Sequence, residues 1–330
     1  MRPPEDLTGS AGIDARGYSH PGYIASLAQF GVPTPLARSG GWLLERRIPG
    51  DAARDLMGAY PLFACPDWSG LAEDLADIGS QAVSVVLVAD PLAGVQARTL
   101  ERAFPDHVVM FKRHLVRDLD APAKLPTHHR RHVRRSARAV DVEVCADPLL
   151  HLEEWNGLYA GLVERHELVG IRAFSPEAFR RQFDLPGTIV LRAELDGRTV
   201  GMTVWLESAP NAHYHLGAYS PAGYDVSASY ALFEVALDHL RKRGVRLVDL
   251  GAAPGSPGAA KEHGLLRFKS GWANGELPAH LCGRVLDRSA YRRLVEHHAV
   301  APGAWFPAYR AGDGDLTGRH REHRPEGVSA

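Results

Sequence analysis

Five arginines lie within nine residues of this chain, with no acidic residue among them: Arg130, Arg131, Arg134, Arg135 and Arg138. On a helix, residues four apart share a face, so these arginines would form two adjacent basic faces. Because a guanidinium can bind two phosphate oxygens at once, such a surface suits a phosphate-bearing ligand. The pattern therefore predicts a phosphate-binding helix; the alternative interpretation is a solvated helix between two domains.

Histidines in the same stretch suggest a metal site, since His128 and His132 have helical i,i+4 spacing and His129 lies between them. However, no cysteine or carboxylate nearby completes a zinc ligand set, and the arginines would repel a cation. We therefore expect no metal here and no bound cofactor, and we expect His297 and His298 to be surface residues. No Ser-His-Asp arrangement, phosphate-binding P-loop or GxGxxG motif stands out, which argues against hydrolase, nucleotide-binding and dehydrogenase functions.

Side chains that could move a proton are found in the second half. Asp249 is the next-to-last residue of the apolar segment VRLVDL and would lie at the carboxyl edge of a strand, and His263 follows in an expected loop. His213 and His215 would share one face of a strand while Tyr214 takes the other, because side chains alternate with a period of two. Asp249 and His263 are candidate general bases, although packing or hydrogen bonding could equally explain each of these residues.

The elements that must position these residues alternate between strand and helix in the first half, which predicts a layered α/β domain. The expected order is a strand from Trp42, helices at 51–60 and 71–78, a buried strand at 83–89, a helix at 94–104 and strands at 107–112 and 115–116. A connection at 122–126 then precedes the basic helix, which leads into a strand at 141–145.

In the second half, apolar residues at helical spacing predict an amphipathic helix over 151–165, and Ser175-Pro176 begins another helix. Strands at 188–195 and 198–207 flank Asp196-Gly197, a dipeptide typical of tight hairpins. A third strand from Asn211, a helix over 227–243 that ends at Gly244, and a strand over 245–251 follow.

Length and composition limit the function classes. A chain of 330 residues usually forms two domains, and 45% apolar with 23% charged residues is ordinary for a globular protein. The net charge of −1 gives no overall electrostatic case for nucleic-acid binding, so any such case depends on the local arginine cluster. Three isolated cysteines indicate a reducing compartment. No signal-peptide pattern and no apolar segment of about 18 residues is present, so we expect a cytoplasmic protein without a membrane span.

Four segments together resemble the Fem family of peptidyl and aminoacyl transferases, within the GCN5-related N-acetyltransferase (GNAT)-like acyltransferases: HHRRHVRRSARAVDVEV, WNGLYAGLVERH with FSPEAF, LRKRGVRLVDLGAAPG and GLLRFKSGWA. The resemblance covers roughly residues 105–290. It implies an α/β (α+β) fold of two tandem GNAT-like modules, each a mixed, mostly antiparallel sheet flanked by helices. We expect a tail at 1–20, a first module at 21–126, a connecting helix at 127–140, a second module at 141–310 and a disordered tail at 311–330.

The resemblance also implies site residues. Phe268 and Lys269 match a Phe-Lys pair that lies beside the acyl centre in the tRNA-dependent members. By this resemblance, Lys269 would stabilise the tetrahedral oxyanion that forms during acyl transfer. The alternative is that Lys269 is an exposed lysine at a strand edge. Tyr214, His215 and Trp272 would line the acceptor pocket, and the five arginines would hold the phosphates of the donor.

The donor stays open at this point. GNAT enzymes that use acetyl-CoA carry an Arg/Gln-x-x-Gly-x-Gly/Ala loop before the long helix, where backbone N–H groups bind the pyrophosphate. The corresponding SPAGYDVSASYALF lacks this pattern, although Ser227 and Ser229 could still bind an anion. This favours aminoacyl-tRNA as donor over acyl-CoA or an acyl-carrier protein, with a small amine, an amino acid or a cell-wall precursor as acceptor and an amide as product. A third interpretation is a non-catalytic binding module, which a solvent-facing Lys269 would favour.

Overall fold

A computed structural model describes residues 15–122, 124–252, 260–298 and 305–311, with side chains from residue 264 onward in the third range. The described strands form one eleven-stranded sheet. In chain order they are β1 (Val32–Pro35), β2 (Trp42–Arg47), β3 (Arg54–Gly58), β4 (Ser84–Val88), β5 (His107–Asp118), β6 (Asp141–Val144), β7 (Thr188–Leu195), β8 (Arg198–Ser208), β9 (Asn211–Tyr219), β10 (Leu247–Asp249) and β11 (Gly275–Val285).

Helices cover both faces of this sheet. They are α1 (Pro21–Ser26), α2 (Leu71–Ile78), α3 (Ala97–Ala103), α4 (Thr127–Ser136), α5 (Leu152–His166), α6 (Pro176–Phe183), α7 (Pro221–Asp225), α8 (Ala228–Lys242), α9 (Ala260–Trp272) and α10 (Arg288–His297). One core, which includes apolar residues of α1, α5 and α6, runs along one face of both halves of the sheet. On the opposite face, α2 and α3 cover the first half, and α4, α8 and α9 cover the second. The predicted fold class, a mixed and mostly antiparallel sheet flanked by helices, is confirmed.

The sheet order is β1-β2-β3-β4-β11-β5-β10-β9-β8-β7-β6. Each half contains one parallel pair, β3 with β4 and β9 with β10, followed by a helix and then by a long antiparallel strand, β5 or β11. The long strands are exchanged between the halves. β5 comes from the first half but lies beside β10, and β11 comes from the second half but lies beside β4. This exchange joins the two halves in one sheet and places residues of the first half beside strands of the second half. The predicted domain boundaries stay predictions.

The second half follows the sequence expectations closely. The hairpin between β7 and β8 turns at Asp196 and Gly197, whose φ angles of 50° and 74° lie in the left-handed region that this turn requires. The long helix α8 ends before Gly244, whose φ is 82°.

Three predicted elements are wrong. Part of the expected helix at 51–60 is the strand β3, because pairing with β2 and β4 outweighs the helix preference of Leu56 and Met57. The two strands expected at 107–112 and 115–116 are one continuous strand, β5, paired along most of its length with β11. The expected loop before Phe268 is part of α9, which continues through Gly264 and Gly271.

The expected tail at 1–20 is wrong for its last residues. Gly17–Ser19 form a 3-10 turn, and Tyr18 is buried, with its hydroxyl 3.1 Å from Nδ1 of His215. Residues 1–14 and 312–330 lie outside the described residues. In the second half, residues 305–311 pack back onto the first half, where the Arg310 guanidinium binds the buried carboxylate of Asp55. No helix in the described ranges is long and apolar enough to cross a bilayer.

Candidate active site

The parallel strands β9 and β10 stop pairing partway along β9, and we call the point where this pairing ends the opening of the sheet. Their parallel pairing ends at His213 and Asp249. Beyond this point β9 continues along β8, whereas the chain after β10 follows β5, with Leu250 N donating to Leu115 O at 2.9 Å and Leu115 N donating to Gly251 O. Asp249 therefore lies at the carboxyl edge of its strand, as the sequence predicted. The positions of the other predicted site residues are described relative to this edge.

Lys269 on α9 is directed toward this opening. The side chain is 8% exposed, Nζ donates to the carbonyl of Ala252 at 3.2 Å, and Nζ lies 5.6 Å from the ring centroid of Tyr214. Burial lowers the pKa of Lys269 to about 8, against the attraction of Asp249 that raises it. The alternative of an exposed strand-edge lysine is therefore wrong. Lys269 is an internal cation, and a fixed cation of this kind stabilises an oxyanion far more than a solvated one does.

Asp249, a candidate general base from the sequence, has both carboxylate oxygens occupied. Oδ1 accepts from Gly251 N at 2.7 Å, and Oδ2 accepts from Nδ1 of His114 at 2.7 Å. Burial alone would raise the pKa of Asp249, but the hydrogen bond and charge of His114, the charge of His213 and the Gly251 amide together lower it. An acid that is this well stabilised as a carboxylate makes a poor proton acceptor. The geometry assigns Asp249 the part of an orienting group for His114.

A second buried pair lies beside the first. Nε2 of His213 is 3.0 Å from Oδ1 of Asp90, which follows β4 in the first half. Burial alone would lower the pKa of His213, but the carboxylates of Asp90 and Asp249 raise it. Both side chains of this pair are less than a tenth exposed. Asp90, His213 and Asp249 have ligand-type atoms within 4.8 Å of one another, so three ionisable side chains meet in the interior at this point.

The predicted acceptor pocket is wrong in its grouping, because its three members do not meet. Tyr214 packs on the α8 side of the sheet against Phe233, with ring centroids 4.8 Å apart. His215 points to the other side, where Tyr18 and Gln182 hydrogen-bond to its two nitrogens, and burial lowers its pKa to about 3.

Trp272 is 1% exposed and packs inside the core against Phe268 and Tyr230, so it lines no surface. Phe268 is partly buried beside Tyr230 and Phe233. The side chain of His263 lies outside the described residues, and its candidacy stays a prediction.

The arginine cluster forms the helix α4 and its end, as predicted. All five side chains are exposed, and within the described residues none of them has an ion-pair partner. Together with Thr127 they line a surface groove of about 750 Å³. Since like charges repel on a helix surface, an arrangement of five guanidinium groups without carboxylates favours a polyanionic ligand.

Contacts of α4 fix this groove relative to Lys269. Nε2 of His129 is 2.8 Å from the carbonyl oxygen of Phe268, the residue before the lysine. The approach requires Gly271, where a Cβ atom would lie 2.0–2.4 Å from the imidazole of His129. Nδ1 of His132 is 3.2 Å from Oγ of Ser227 at the start of α8. These partners account for two of the histidines that suggested a metal, and they dock α4 on both α8 and α9.

Sequence reasoning missed His114 and Asp90. Both belong to the first half, and both reach the second-half site through the sheet order, His114 because β5 lies beside β10 and Asp90 because it contacts β9. The only available signal was their position: His114 is a polar residue next to the apolar end of β5, and Asp90 directly follows a buried strand.

Comparison with known proteins agrees with this architecture. Residues 123–270 match the family model described as an acetyltransferase (GNAT) domain, whereas no curated protein matches the chain in sequence. The structure of FemX is similar with a TM-score of 0.64 and 12% identity, over 83% of this chain and 93% of that one. The C-terminal domain of a putative lysylphosphatidylglycerol synthetase from Agrobacterium fabrum has a TM-score of 0.55 and 17% identity, over 78% of this chain and 84% of that one. L-PGS from Bacillus licheniformis has a TM-score of 0.52 and 15% identity, over 81% of this chain and 91% of that one.

These matches agree with the resemblance that the four sequence segments implied. Residues 123–270 thus match a GNAT domain, the chain shares its fold with FemX, and the domain match supports an acyltransferase.

Proposed function

We propose that this acyltransferase moves an aminoacyl group from aminoacyl-tRNA to an amine and forms an amide. The observation that carries the proposal is the arginine groove on α4, docked through His129 against the helix that holds Lys269. A donor whose phosphates lie in the groove would have its acyl end directed toward the opening beside β10. The cation of Lys269 would then stabilise the oxyanion that forms as the amine attacks.

The start of α8 supports tRNA over coenzyme A. In a CoA-dependent GNAT domain this helix end binds pyrophosphate through free backbone amides. Here two side chains of α4 lie against this helix start: His132 contacts Oγ of Ser227, and Nη2 of Arg135 donates to the carbonyl of Asp225. The proposal therefore assigns phosphate binding to α4, whose row of five charges suits a nucleic-acid backbone better than a single pyrophosphate.

One neighbour in fold is named for a related product. It is the C-terminal domain of a putative lysylphosphatidylglycerol synthetase, so the fold also occurs in a protein named for making a lipid that carries a lysyl group. For this chain the acceptor is proposed as a small amine, an amino acid or a cell-wall precursor. Since aminoacyl-tRNA is made in the cytoplasm, the proposal also places the enzyme there.

A binding experiment tests the donor directly. We expect mixed tRNA to bind the wild-type chain, with an affinity that falls steeply as salt rises, because each neutralised phosphate releases counterions. Arg130→Ala/Arg134→Ala removes two charges from one face of α4 and should lower the salt slope by about 1–2. Arg180→Ala, an exposed arginine on α6, is the matched control and should leave the slope unchanged.

Two results would contradict the proposal. One is tRNA binding that is equally weak in the wild type and in the double variant. The other is release of free thiol from a panel of acyl-CoA donors in the presence of an amine, with no use of aminoacyl-tRNA; that result would establish the thioester donor instead.

A further inference from the structure

Two histidine–aspartate pairs lie side by side in the interior, and they differ in what their second imidazole nitrogen can reach. In the pair of His114 and Asp249, Nδ1 faces the carboxylate and Nε2 accepts no hydrogen bond from the described residues. In the pair of His213 and Asp90, Nε2 faces the carboxylate and Nδ1 is sealed without a partner among the described residues. We propose that His114 is the base that takes the proton from the attacking amine, and that Asp249 positions it; this rests on the proposed amide-forming reaction.

The hydrogen bond to Asp249 sets the tautomer of His114. A carboxylate accepts and cannot donate, so the proton of the neutral imidazole lies on Nδ1, 2.7 Å from Oδ2. Nε2 then carries a lone pair, which is what a base requires. Because both oxygens of Asp249 are held, one by His114 and one by Gly251 N, the carboxylate cannot turn away.

Access separates the two pairs. The side chain of His114 is 11% exposed, and Nε2 is not among the sealed polar atoms of the described interior. The side chain of His213 is 5% exposed, and Tyr18 lies against it with ring centroids 5.0 Å apart. A substrate could therefore reach Nε2 of His114 but neither nitrogen of His213.

The base and the oxyanion-stabilising cation border the same opening. Gly251 connects them: its N–H donates to Asp249, and a Cβ atom at this residue would lie 3.0 Å from Nζ of Lys269. The carboxylate of Asp249 is the charged group bonded to His114. Asp249 in turn interacts with the charges of His213 from β9 and Lys269 from α9, and Lys269 interacts with Lys112 on β5.

His114 and Lys269 are sufficient to account for the proton and the negative charge that move during the reaction. The acceptor enters as a neutral amine, and its nitrogen forms a bond to the acyl carbon while one N–H proton passes to Nε2 of His114. The carbonyl electron pair moves onto oxygen, where Lys269 stabilises it. When the carbonyl re-forms, the bond from the acyl carbon to the ester oxygen of the donor breaks. The imidazolium of His114 gives its proton to that oxygen, so the products are an amide and a free hydroxyl.

The tautomer can be measured without any substrate. In protein labelled with ¹⁵N-histidine, at a pH where the imidazole signals have stopped changing, two-bond correlations identify the protonated nitrogen; comparison with His114→Gln assigns the signal. We expect the proton of His114 on Nδ1, and Asp249→Asn should shift the population toward Nε2–H. A proton on Nε2 in the wild type would overturn the proposal, because that nitrogen could not accept.

Kinetics test the role itself, with pooled aminoacyl-tRNA as donor and ethanolamine as acceptor probe. His114→Gln should lower the rate by about 10²-fold or more. The matched control is His151→Gln, whose Nδ1 also lies 2.7 Å from a carboxylate, Glu154, at the far edge of the sheet. The rate of this control should stay within about twofold of the wild type. A His114→Gln variant that keeps the wild-type rate would refute the role. A wild-type chain that uses neither tRNA nor CoA donors would instead contradict the proposed function, and the tautomer would still decide the base.

Discussion

Replacing the buried Lys269 by methionine should make the protein more stable and, at the same time, nearly inactive. Methionine has a similar length and no charge, so it can fill the same space beside Tyr214 without a desolvation cost. A gain in stability together with a loss of activity is expected for a cation that is held in the interior for catalysis, and it is not expected for a residue that serves packing alone.

The size of the stability gain follows from the pKa of Lys269, which burial lowers from 10.5 to about 8. This lowering of the pKa corresponds to about 3 kcal/mol of unfavourable free energy for the buried charge. Loss of the hydrogen bond from Nζ to Ala252 O costs about 1 kcal/mol. Lys269→Met should therefore raise the free energy of unfolding by about 2 kcal/mol at neutral pH, the difference between these two contributions.

The sign of the pH dependence is fixed by the same pKa values. Between about pH 8 and pH 10.5 the unfolded chain binds more protons at this lysine than the folded chain does, so wild-type stability should rise with pH in this window. The advantage of Lys269→Met should shrink over the same window. Activity should move in the opposite direction, because deprotonation of Lys269 above about pH 8 removes the cation that stabilises the oxyanion.

The free energy of unfolding is measured in urea at neutral pH and again above about pH 10.5, the upper pKa of Lys269. Acyl-transfer rates measure the loss of catalysis, which should be about 10²–10³-fold. Lys242→Met on α8 is the matched control, since this lysine is exposed, and it should change neither quantity appreciably. A Lys269→Met variant that is less stable than the wild type at neutral pH, or one that retains most of its activity, would refute the reasoning.

Two further substitutions test the supports of the site. Gly271→Ala places a Cβ within 2.0–2.4 Å of the ring of His129, so α4 must shift. We expect a loss of about 1–3 kcal/mol in thermal unfolding, partly restored by adding His129→Ala. Asp55→Ala removes a carboxylate with no exposed surface that binds Arg46 and Arg310. It should cost about 3–5 kcal/mol in urea unfolding because two guanidinium groups stay buried without it. An unchanged midpoint of urea unfolding in Asp55→Ala would exclude a stabilising role for the ion pairs of Asp55 with Arg46 and Arg310.

Local patterns in the sequence were sufficient for most of the second half. Strands β7, β8 and β9, their tight turn at Asp196 and the helix α8 follow from periodicity and from the residues that end each element. The same approach failed at β3, whose composition favours a helix but whose neighbours on both sides are strands. It failed also at α9, whose residues before Phe268 were expected to form a loop, whereas they belong to a helix that packs against α4.

The site was predictable only where its residues are close in sequence. Asp249 and Lys269 could be proposed because they belong to segments that resemble a known family, and the arginines because their spacing is helical. His114 could not be found in this way, because its relation to Asp249 exists only through the exchange of β5 between the two halves. The pairing of Tyr214 with His215 in one pocket failed for the opposite reason: neighbours in a strand point to opposite faces.

The most direct test of the account is the fate of the aminoacyl group on tRNA. A pool of tRNA charged with radiolabelled amino acids is incubated with the protein and an amine, and label is followed from tRNA into amide. We expect transfer of label by the wild-type chain and a loss of about 10²–10³-fold in Lys269→Met. Label that stays on tRNA across the whole pool, in a preparation that releases thiol from acyl-CoA, would contradict it.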